Sequence, residues 1–135
     1  MIKATRNQLA NCSNPYQSGA RRVLCVCSAG LLRSPTMASV LHTNAGYNTR
    51  AAGSSEDFAL IPVSEVLIRW ADEIVFVEKH NQDEVLANNP DLRDVVLRKS
   101  VVLNVPDQYG YNEPMLRSAI WEQYINEGDE DASTK

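Results

Sequence analysis

The sequence predicts a doubly wound α/β domain, in which helices cover both faces of a parallel sheet. Four short segments have the character of strands, and three of them are continuous apolar runs rich in valine. Each is followed by a stretch whose apolar residues recur at helical spacing. Strands that alternate with helices form a parallel sheet joined by right-handed crossovers. The 135 residues suffice for one such domain with its own core, and no repeat or linker divides them.

The first strand and the first helix are the clearest elements. The first strand is predicted over residues 22–27, which are continuously apolar from Val23 onward, as expected of a strand that is buried on both faces. A helix is predicted from Pro35 to Thr43, because proline suits the first helical turn and apolar residues follow at helical spacing. The sequence Asn44-Ala45-Gly46 ends this helix.

The later elements repeat the alternation. Residues 47–51 form a short second strand. A helix is predicted to begin at Pro62, because the apolar residues up to Trp70 have helical spacing, and Trp70 is interpreted as part of the core. The remaining elements are a strand over residues 74–77, a helix ended by Asn88-Asn89-Pro90, a strand over residues 101–105 and a helix from Pro114 through Tyr124.

Composition and charge exclude several classes of function. The formal net charge of −4 argues against a broad attraction to nucleic acid or to anionic membranes. No apolar segment is long enough to span a bilayer, and the N-terminus lacks the apolar core of a signal peptide. Three cysteines do not suggest a disulfide framework. We therefore expect a location in the reducing cytoplasm.

The stretch between the first strand and the first helix carries the chemistry. Cys27 ends the strand, five residues follow, and Arg33-Ser34-Pro35 leads into the helix. A strand, a tight loop and a helix N-terminus bring several backbone N–H groups to one point, which makes an anion site. A cysteine and an arginine at this spacing are common by chance, and the alternative is a buried cysteine followed by a solvated arginine. The strand-and-helix context favours a phosphate-binding loop.

This arrangement suits the attack of a thiolate on a phosphate ester. The helix dipole, the N–H donors and a nearby cation would stabilise the thiolate of Cys27. The loop amides would donate hydrogen bonds to the three equatorial phosphoryl oxygens, and the planar guanidinium of Arg33 would bind two of them. The Ser34 hydroxyl would donate to the sulfur and improve it as a leaving group. The loop residues expected to bind substrate are Ser28, Ala29, Gly30, Leu31 and Leu32.

Asp107 is the candidate general acid. Doubly wound sheets bind ligands beyond the carboxyl ends of their strands, and Cys27 and Asp107 both lie at that edge, after the first and fourth strands. Asp107 would protonate the leaving oxygen and then activate the water that hydrolyses phosphocysteine. The alternative is that Asp107 is a turn residue after proline, with Glu113 as a second candidate acid.

The segment Cys27-Ser28-Ala29-Gly30-Leu31-Leu32-Arg33-Ser34-Pro35 resembles the signature loop of the low-molecular-weight protein tyrosine phosphatases, and is most similar to their compact bacterial branch. The similarity covers residues 22–126 and continues in Arg50-Ala51-Ala52-Gly53, Trp70-Ala71-Asp72, Val77-Glu78-Lys79-His80 and Val105-Pro106-Asp107-Gln108-Tyr109. The resemblance implies four strands in the order 2-1-3-4. It also implies that Tyr109 and Tyr111 flank a flat aromatic leaving group and that Phe58 borders the pocket; the alternative for each of the three is packing on the core.

Some positions depart from the pattern of this family. Gly30 stands where the family usually has asparagine, and Ala51 replaces the usual serine partner of that asparagine. Glycine tolerates the positive φ expected there, so the loop keeps its shape with less rigidity. Leu32 replaces a cysteine that can shield the nucleophile as a disulfide, and Gln108 replaces the proline after the acid.

The predicted organisation is an N-terminal extension over residues 1–20, a low-molecular-weight phosphatase-like catalytic domain over residues 21–126 and an acidic, flexible tail over residues 127–135. Cys25 is interpreted as a buried strand cysteine, with a redox partner of Cys27 as the alternative. His80 is interpreted as a solvated residue at a helix start, with an approach to the site as the alternative.

The predicted function is a cysteine-dependent phosphomonoesterase that hydrolyses protein phosphotyrosine through a phosphocysteine intermediate, without a metal or cofactor. Its loop would bind phosphate, sulfate or vanadate. One alternative is a phosphoprotein-binding module without turnover, which would need neither nucleophile nor acid. A thiol-dependent arsenate reductase would need cysteines after Cys27, which the sequence lacks. A phosphocysteine carrier of the sugar-transport type fits Arg33-Ser34 less well than hydrolysis does.

Overall fold

The computed structural model describes residues 20–29, 33–57, 59–105 and 114–133. Strands and helices alternate along the chain, as the sequence predicts. The strands are β1 (Arg22–Cys27), β2 (Asn48–Gly53), β3 (Glu73–Phe76) and β4 (Ser100–Val102). The helices are α1 (Arg33–Ala45), α2 (Glu65–Trp70), α3 (Lys79–Asn88), α4 (Arg93–Lys99) and α5 (Pro114–Ser133), and a 3-10 turn at Pro90–Leu92 precedes α4.

The described strands form one parallel sheet in the order β2-β1-β3-β4, which confirms the predicted order 2-1-3-4. In the register of this sheet, Cys27 pairs with Gly53, and Phe76 pairs with Val26 on one side and with Val102 on the other. The chain leaves β1 first toward β2 and later toward β3, so the end of β1 is the topological switch point. Ligands of such sheets bind at this point, and Cys27 lies there.

Helices cover both faces of the sheet, as predicted. Successive residues of β1 point to opposite faces, so that Cys25 faces one layer and Leu24 the other. The first layer packs α1 and α5 on the sheet through Met37, Val40, Leu41, Leu116 and Ile120. The second packs α2, α3 and α4 through Leu67, Ile68, Val85, Leu86 and Val96. Each of these side chains stabilises the fold by about 1.5–3 kcal/mol when it leaves water.

The prediction that a helix begins at Pro62 is wrong. Pro62 forms a parallel bridge with Gly53, in which Gly53 N donates to the Ile61 carbonyl oxygen and Val63 N donates to the Gly53 carbonyl oxygen, both at 2.9 Å. Proline fits this bridge because its own missing N–H is not needed. Helix α2 begins only at Glu65, after Ser64, whose hydroxyl accepts from Leu67 N at 3.4 Å.

The crossover between β3 and β4 contains more helix than the sequence indicated. After α3 ends at Asn88, Pro90 opens the 3-10 turn, and α4 follows directly. Leu92 and Val96, four residues apart, bury against the sheet and explain the second helix. Strand β4 covers only residues 100–102, although Leu103 N and Val105 N still donate to carbonyl oxygens of Phe76 and Val77.

The last helix begins at Pro114, as predicted, and continues to Ser133. It therefore includes residues 127–133, whose acidic composition predicted a flexible tail. A helix that is already nucleated by a buried first part extends at little cost. The division of the chain into extension, catalytic domain and tail stays a prediction.

Among the described residues, no helix is long and apolar enough to cross a membrane.

Candidate active site

Cys27 lies at the carboxyl edge of the sheet, as the last residue of β1, and only 3% of it is exposed. Its Sγ donates to Ser34 Oγ at 3.2 Å, and the Ser34 hydroxyl in turn donates to the Ala52 carbonyl oxygen at 3.2 Å. Ser34 belongs to the first turn of α1, so this hydrogen bond joins the sulfur to the beginning of the helix. Because an ionised sulfur can only accept, the same hydroxyl can turn and donate to a thiolate.

Arg33 is the first residue of α1 and is 5% exposed. Its Nη1 donates to the Val105 carbonyl oxygen at 2.9 Å and forms an ion pair with Glu78. These contacts join the segments that follow β3 and β4 to the beginning of α1. A buried guanidinium requires such partners, because an unpaired charge in the interior is strongly destabilising.

Ser28 follows Cys27 and contacts the first turn of α3. Asn81 Nδ2 donates to Ser28 Oγ at 3.1 Å and also to Ser54 Oγ at 3.1 Å. The exposed His80 approaches the same hydroxyl, with Nε2 at 3.2 Å from Ser28 Oγ. The interpretation of His80 as merely solvated is therefore incomplete, since its ring also contacts the residue next to Cys27.

The end of β2 supports the start of the loop through the main chain. Ser54 N donates to the Cys27 carbonyl oxygen at 2.7 Å, and Ser55 N donates to the Ser28 carbonyl oxygen at 3.0 Å. Gly53 allows this approach, because a Cβ atom there would lie 2.6 Å from the Ser28 carbonyl oxygen and 2.8 Å from the Ala29 carbonyl carbon. The first residues of the loop are therefore held by hydrogen bonds from the end of β2 and from α3.

Comparison with solved structures places this geometry in a known fold. Wzb from Vibrio vulnificus in complex with benzylphosphonate aligns over 87% of this chain and 100% of its own, with 18% identity and a TM-score of 0.59. The YwlE arginine phosphatase from Geobacillus stearothermophilus aligns over 84% and 94%, with 18% identity and a TM-score of 0.59. The tyrosine phosphatase Wzb from Escherichia coli K30 in complex with phosphate aligns over 85% and 98%, with 15% identity and a TM-score of 0.56. No protein-family model and no curated protein sequence matches the chain.

The chain has the low-molecular-weight phosphatase fold. This confirms the fold that the loop sequence implied. The structure brings four of the predicted site residues of that fold together, namely Cys27, Ser28, Arg33 and Ser34. Ala29 is described next to them. The other predicted residues lie outside the described ones: Gly30, Leu31, Leu32, Phe58, Asp107, Tyr109, Tyr111 and Glu113.

Glu78, Asn81 and Ser54 are polar residues that lie beside Arg33 and Ser28 and that the sequence analysis missed. Glu78 and Asn81 follow β3 and Ser54 follows β2, so all three stand at the edge of the sheet where Cys27 lies. Polar residues that follow parallel strands converge at one edge of the sheet, and this pattern after the second and third strands is the signal in the sequence that indicates these residues.

Cys25 is fully buried in the layer formed by α1 and α5, which confirms its interpretation as a core cysteine. Burial, together with the charge of Glu73, raises the pKa of the Cys25 thiol well above its usual value. At neutral pH this thiol therefore stays protonated and unreactive.

Within the described residues, no group of three histidine, cysteine or acidic side chains is arranged to hold a metal ion.

Proposed function

We propose that this chain is a cysteine-dependent phosphomonoesterase that hydrolyses phosphotyrosine in proteins. The contact between Arg33 Nη1 and the Val105 carbonyl oxygen carries the proposal. It joins the guanidinium at one end of the loop to the residue that precedes Pro106-Asp107 in sequence. A nucleophile, an arginine and the approach to a candidate acid then share one edge of the sheet, as a phosphoryl-transfer site requires.

The proposed reaction begins when the Cys27 thiolate attacks phosphorus. The loop amides and Arg33 stabilise the charge on the equatorial phosphoryl oxygens. The bond between phosphorus and the ester oxygen breaks, and Asp107 gives its proton to that oxygen. This leaves a phosphocysteine and the free alcohol or phenol.

The second half of the reaction restores the enzyme. Asp107, now ionised, takes a proton from water, and the resulting hydroxide attacks phosphorus and breaks the bond to sulfur. Ser34 donates its hydroxyl to the departing thiolate. Inorganic phosphate leaves, and the loop would bind phosphate, sulfate or vanadate as inhibitors for the same reason that it binds substrate. Because the sulfur must stay reduced, we place this reaction in the cytoplasm.

The preference for phosphotyrosine rests on Tyr109 and Tyr111, which would flank a flat aromatic leaving group. The test is phosphate release from phosphotyrosine, phosphoserine and phosphoarginine peptides of one sequence, with EDTA present. We expect release from the phosphotyrosine peptide. A preference for phosphoarginine would contradict the substrate assignment, and phosphate binding without any release would favour the phosphoprotein-binding module.

The role of Asp107 is tested by Asp107→Asn. We expect kcat/KM for phenyl phosphate to fall on the order of a hundredfold or more, because a phenolate leaving group needs a proton. For p-nitrophenyl phosphate the loss should be smaller, since its leaving group is more acidic. Steady-state kinetics on the two esters measure the difference.

Glu113→Gln provides the matched control for this prediction, because Glu113 is the second candidate acid. We expect it to retain the rate on both esters. If Glu113→Gln shows the larger, leaving-group-dependent loss, the acid is misassigned.

A further inference from the structure

The first turn of α3 and Glu78, the residue before it, contact both ends of the anion loop. At one end, the Glu78 carboxylate pairs with Arg33. At the other, Asn81 donates to Ser28, the residue after Cys27. Glu78 and Asn81 are linked to each other, because Asn81 Oδ1 accepts from Glu78 N at 3.2 Å. One short segment therefore contacts the residue after the nucleophile and the arginine itself.

Asn81 is fully buried, and both polar atoms of its side-chain amide have hydrogen-bond partners. Nδ2 carries two hydrogens and donates to the hydroxyls of Ser28 and Ser54, while Oδ1 accepts from Glu78 N. The orientation of the amide is unambiguous, because a flipped amide would turn its NH2 group toward the Glu78 N–H.

Ser54 fixes the direction of this hydrogen-bond chain. Its hydroxyl donates to Glu84 Oε1 at 2.6 Å, so its oxygen remains to accept from Asn81. Its backbone N donates to the Cys27 carbonyl oxygen. The charged carboxylate of Glu84 thus orients Ser54, Ser54 orients Asn81, and Asn81 holds Ser28. Buried chains of this kind are rigid when every member is satisfied.

We propose that Asn81 is a positioning residue for phosphoryl transfer, acting through Ser28 and Glu78. The inference rests on the proposed function and adds to it the residue that sets the loop geometry. The side-chain hydrogen bonds of Asn81 go to Ser28, Ser54 and Glu78. Asn81 holds Ser28 against the end of β2 and fixes the backbone from which the Glu78 carboxylate reaches Arg33, so that the loop amides and the guanidinium face the same point.

This role predicts a particular kinetic effect of Asn81→Ala. Without the amide, Ser28 and Glu78 lose a common anchor, and a displacement of about 1 Å at a reacting centre costs on the order of a hundredfold in rate. We expect kcat for p-nitrophenyl phosphate to fall about 10- to 100-fold, with a smaller change in KM. Vanadate, which resembles the five-coordinate transition state, should lose affinity in parallel with kcat/KM, and inorganic phosphate should lose less.

The design separates positioning from stability. Asn89→Ala is the matched control, because Asn89 caps the end of the same helix, where its side-chain amide donates to the Val85 carbonyl oxygen at 3.0 Å. Thr49→Val removes a buried hydrogen bond to the Ala38 carbonyl oxygen away from the site. Both variants should keep wild-type kcat, and thermal unfolding should show that all three variants are folded at the assay temperature.

Ser28→Ala probes the same hydrogen bond from the loop side and serves if Asn81→Ala does not fold. In a double-mutant cycle, the effects of the two substitutions on kcat should be clearly less than additive, since they remove one interaction. Additive effects, an unchanged ratio of vanadate to phosphate affinity, or an equal loss of kcat in Thr49→Val would overturn the proposal.

Failure of the positioning role of Asn81 can be told apart from failure of the proposed phosphatase activity. If the wild-type chain hydrolyses no phosphoester, the function is wrong, yet phosphate affinity and the alkylation rate of Cys27 by iodoacetamide still report on the loop. Positioning predicts that both fall in Asn81→Ala and stay at the wild-type level in Asn89→Ala. Equal values in the two variants would reject it.

Discussion

Replacement of Cys27 by serine is expected to reduce phosphotyrosine hydrolysis to the background rate. The serine hydroxyl is a far weaker nucleophile than a thiolate, and loss of the attacking group in a covalent mechanism costs on the order of 10⁴–10⁶ in kcat. Phosphate and vanadate should still bind, because the loop amides and Arg33 remain. Steady-state hydrolysis of a phosphotyrosine peptide, together with calorimetric titration of phosphate, measures both effects.

Cys25→Ala is the matched control for Cys27→Ser. Both cysteines lie on β1 and face the same layer, but Cys25 is fully buried and its thiol stays protonated. We expect Cys25→Ala to retain activity with a modest loss of stability from the small cavity. Full activity in Cys27→Ser would refute the nucleophile, and loss of activity only in Cys25→Ala would reassign it.

Gly53→Ala is expected to have the second large effect. Its Cβ would lie 2.5 Å from Ala59 Cβ, 2.6 Å from the Ser28 carbonyl oxygen and 2.8 Å from the Ala29 carbonyl carbon. Since two of these atoms belong to the main chain, the start of the loop must move. We expect the free energy of unfolding to fall by about 1–3 kcal/mol and kcat/KM to fall on the order of a hundredfold. Urea unfolding and hydrolysis of p-nitrophenyl phosphate measure them.

Gly46→Ala is a control that separates a loss of stability from a displacement of the loop. Gly46 has a φ of +72°, and no atom lies within 4 Å of where its Cβ would be. Alanine in this left-handed conformation costs about 1–2 kcal/mol, a loss of stability similar to that of Gly53→Ala. Gly46 follows α1 far from the loop, so activity should be unchanged. If both variants lose activity equally, the effect of Gly53→Ala comes from stability and not from loop geometry.

The helix prediction at Pro62 illustrates where sequence reasoning fails. Proline in the first helical turn is a sound local rule, and apolar spacing supported it. In the structure, Pro62 lies beside Gly53 because Ile61 and Val63 supply the backbone hydrogen bonds that proline itself does not make. A pairing partner nine residues away overrides the local preference, and no periodicity reveals which partner is present.

The polar contacts of the site show the same limit. Arg33 was predicted as a phosphate ligand from its place after the loop, but its ion pair with Glu78 was not predicted. The two residues are 45 apart in sequence, and Asn81 and Ser28 are 53 apart. Such pairs form only when the strands have the right register and the next helix begins at the right residue, because a shift of one residue turns a helical side chain away from its partner.

The amino-acid sequence alone determined the fold class and, through the loop resemblance, the strand order, and it predicted that Cys27 and Arg33 lie close together after the first strand. It did so because strand burial, helix spacing and a strand-loop-helix turn are local patterns with characteristic periods. Only the tertiary structure decided that Glu78 pairs with Arg33 and that Asn81 holds Ser28. Hydrogen bonds select partners within a few tenths of an ångström, and parallel strands joined by crossovers bring those partners together from distant parts of the chain.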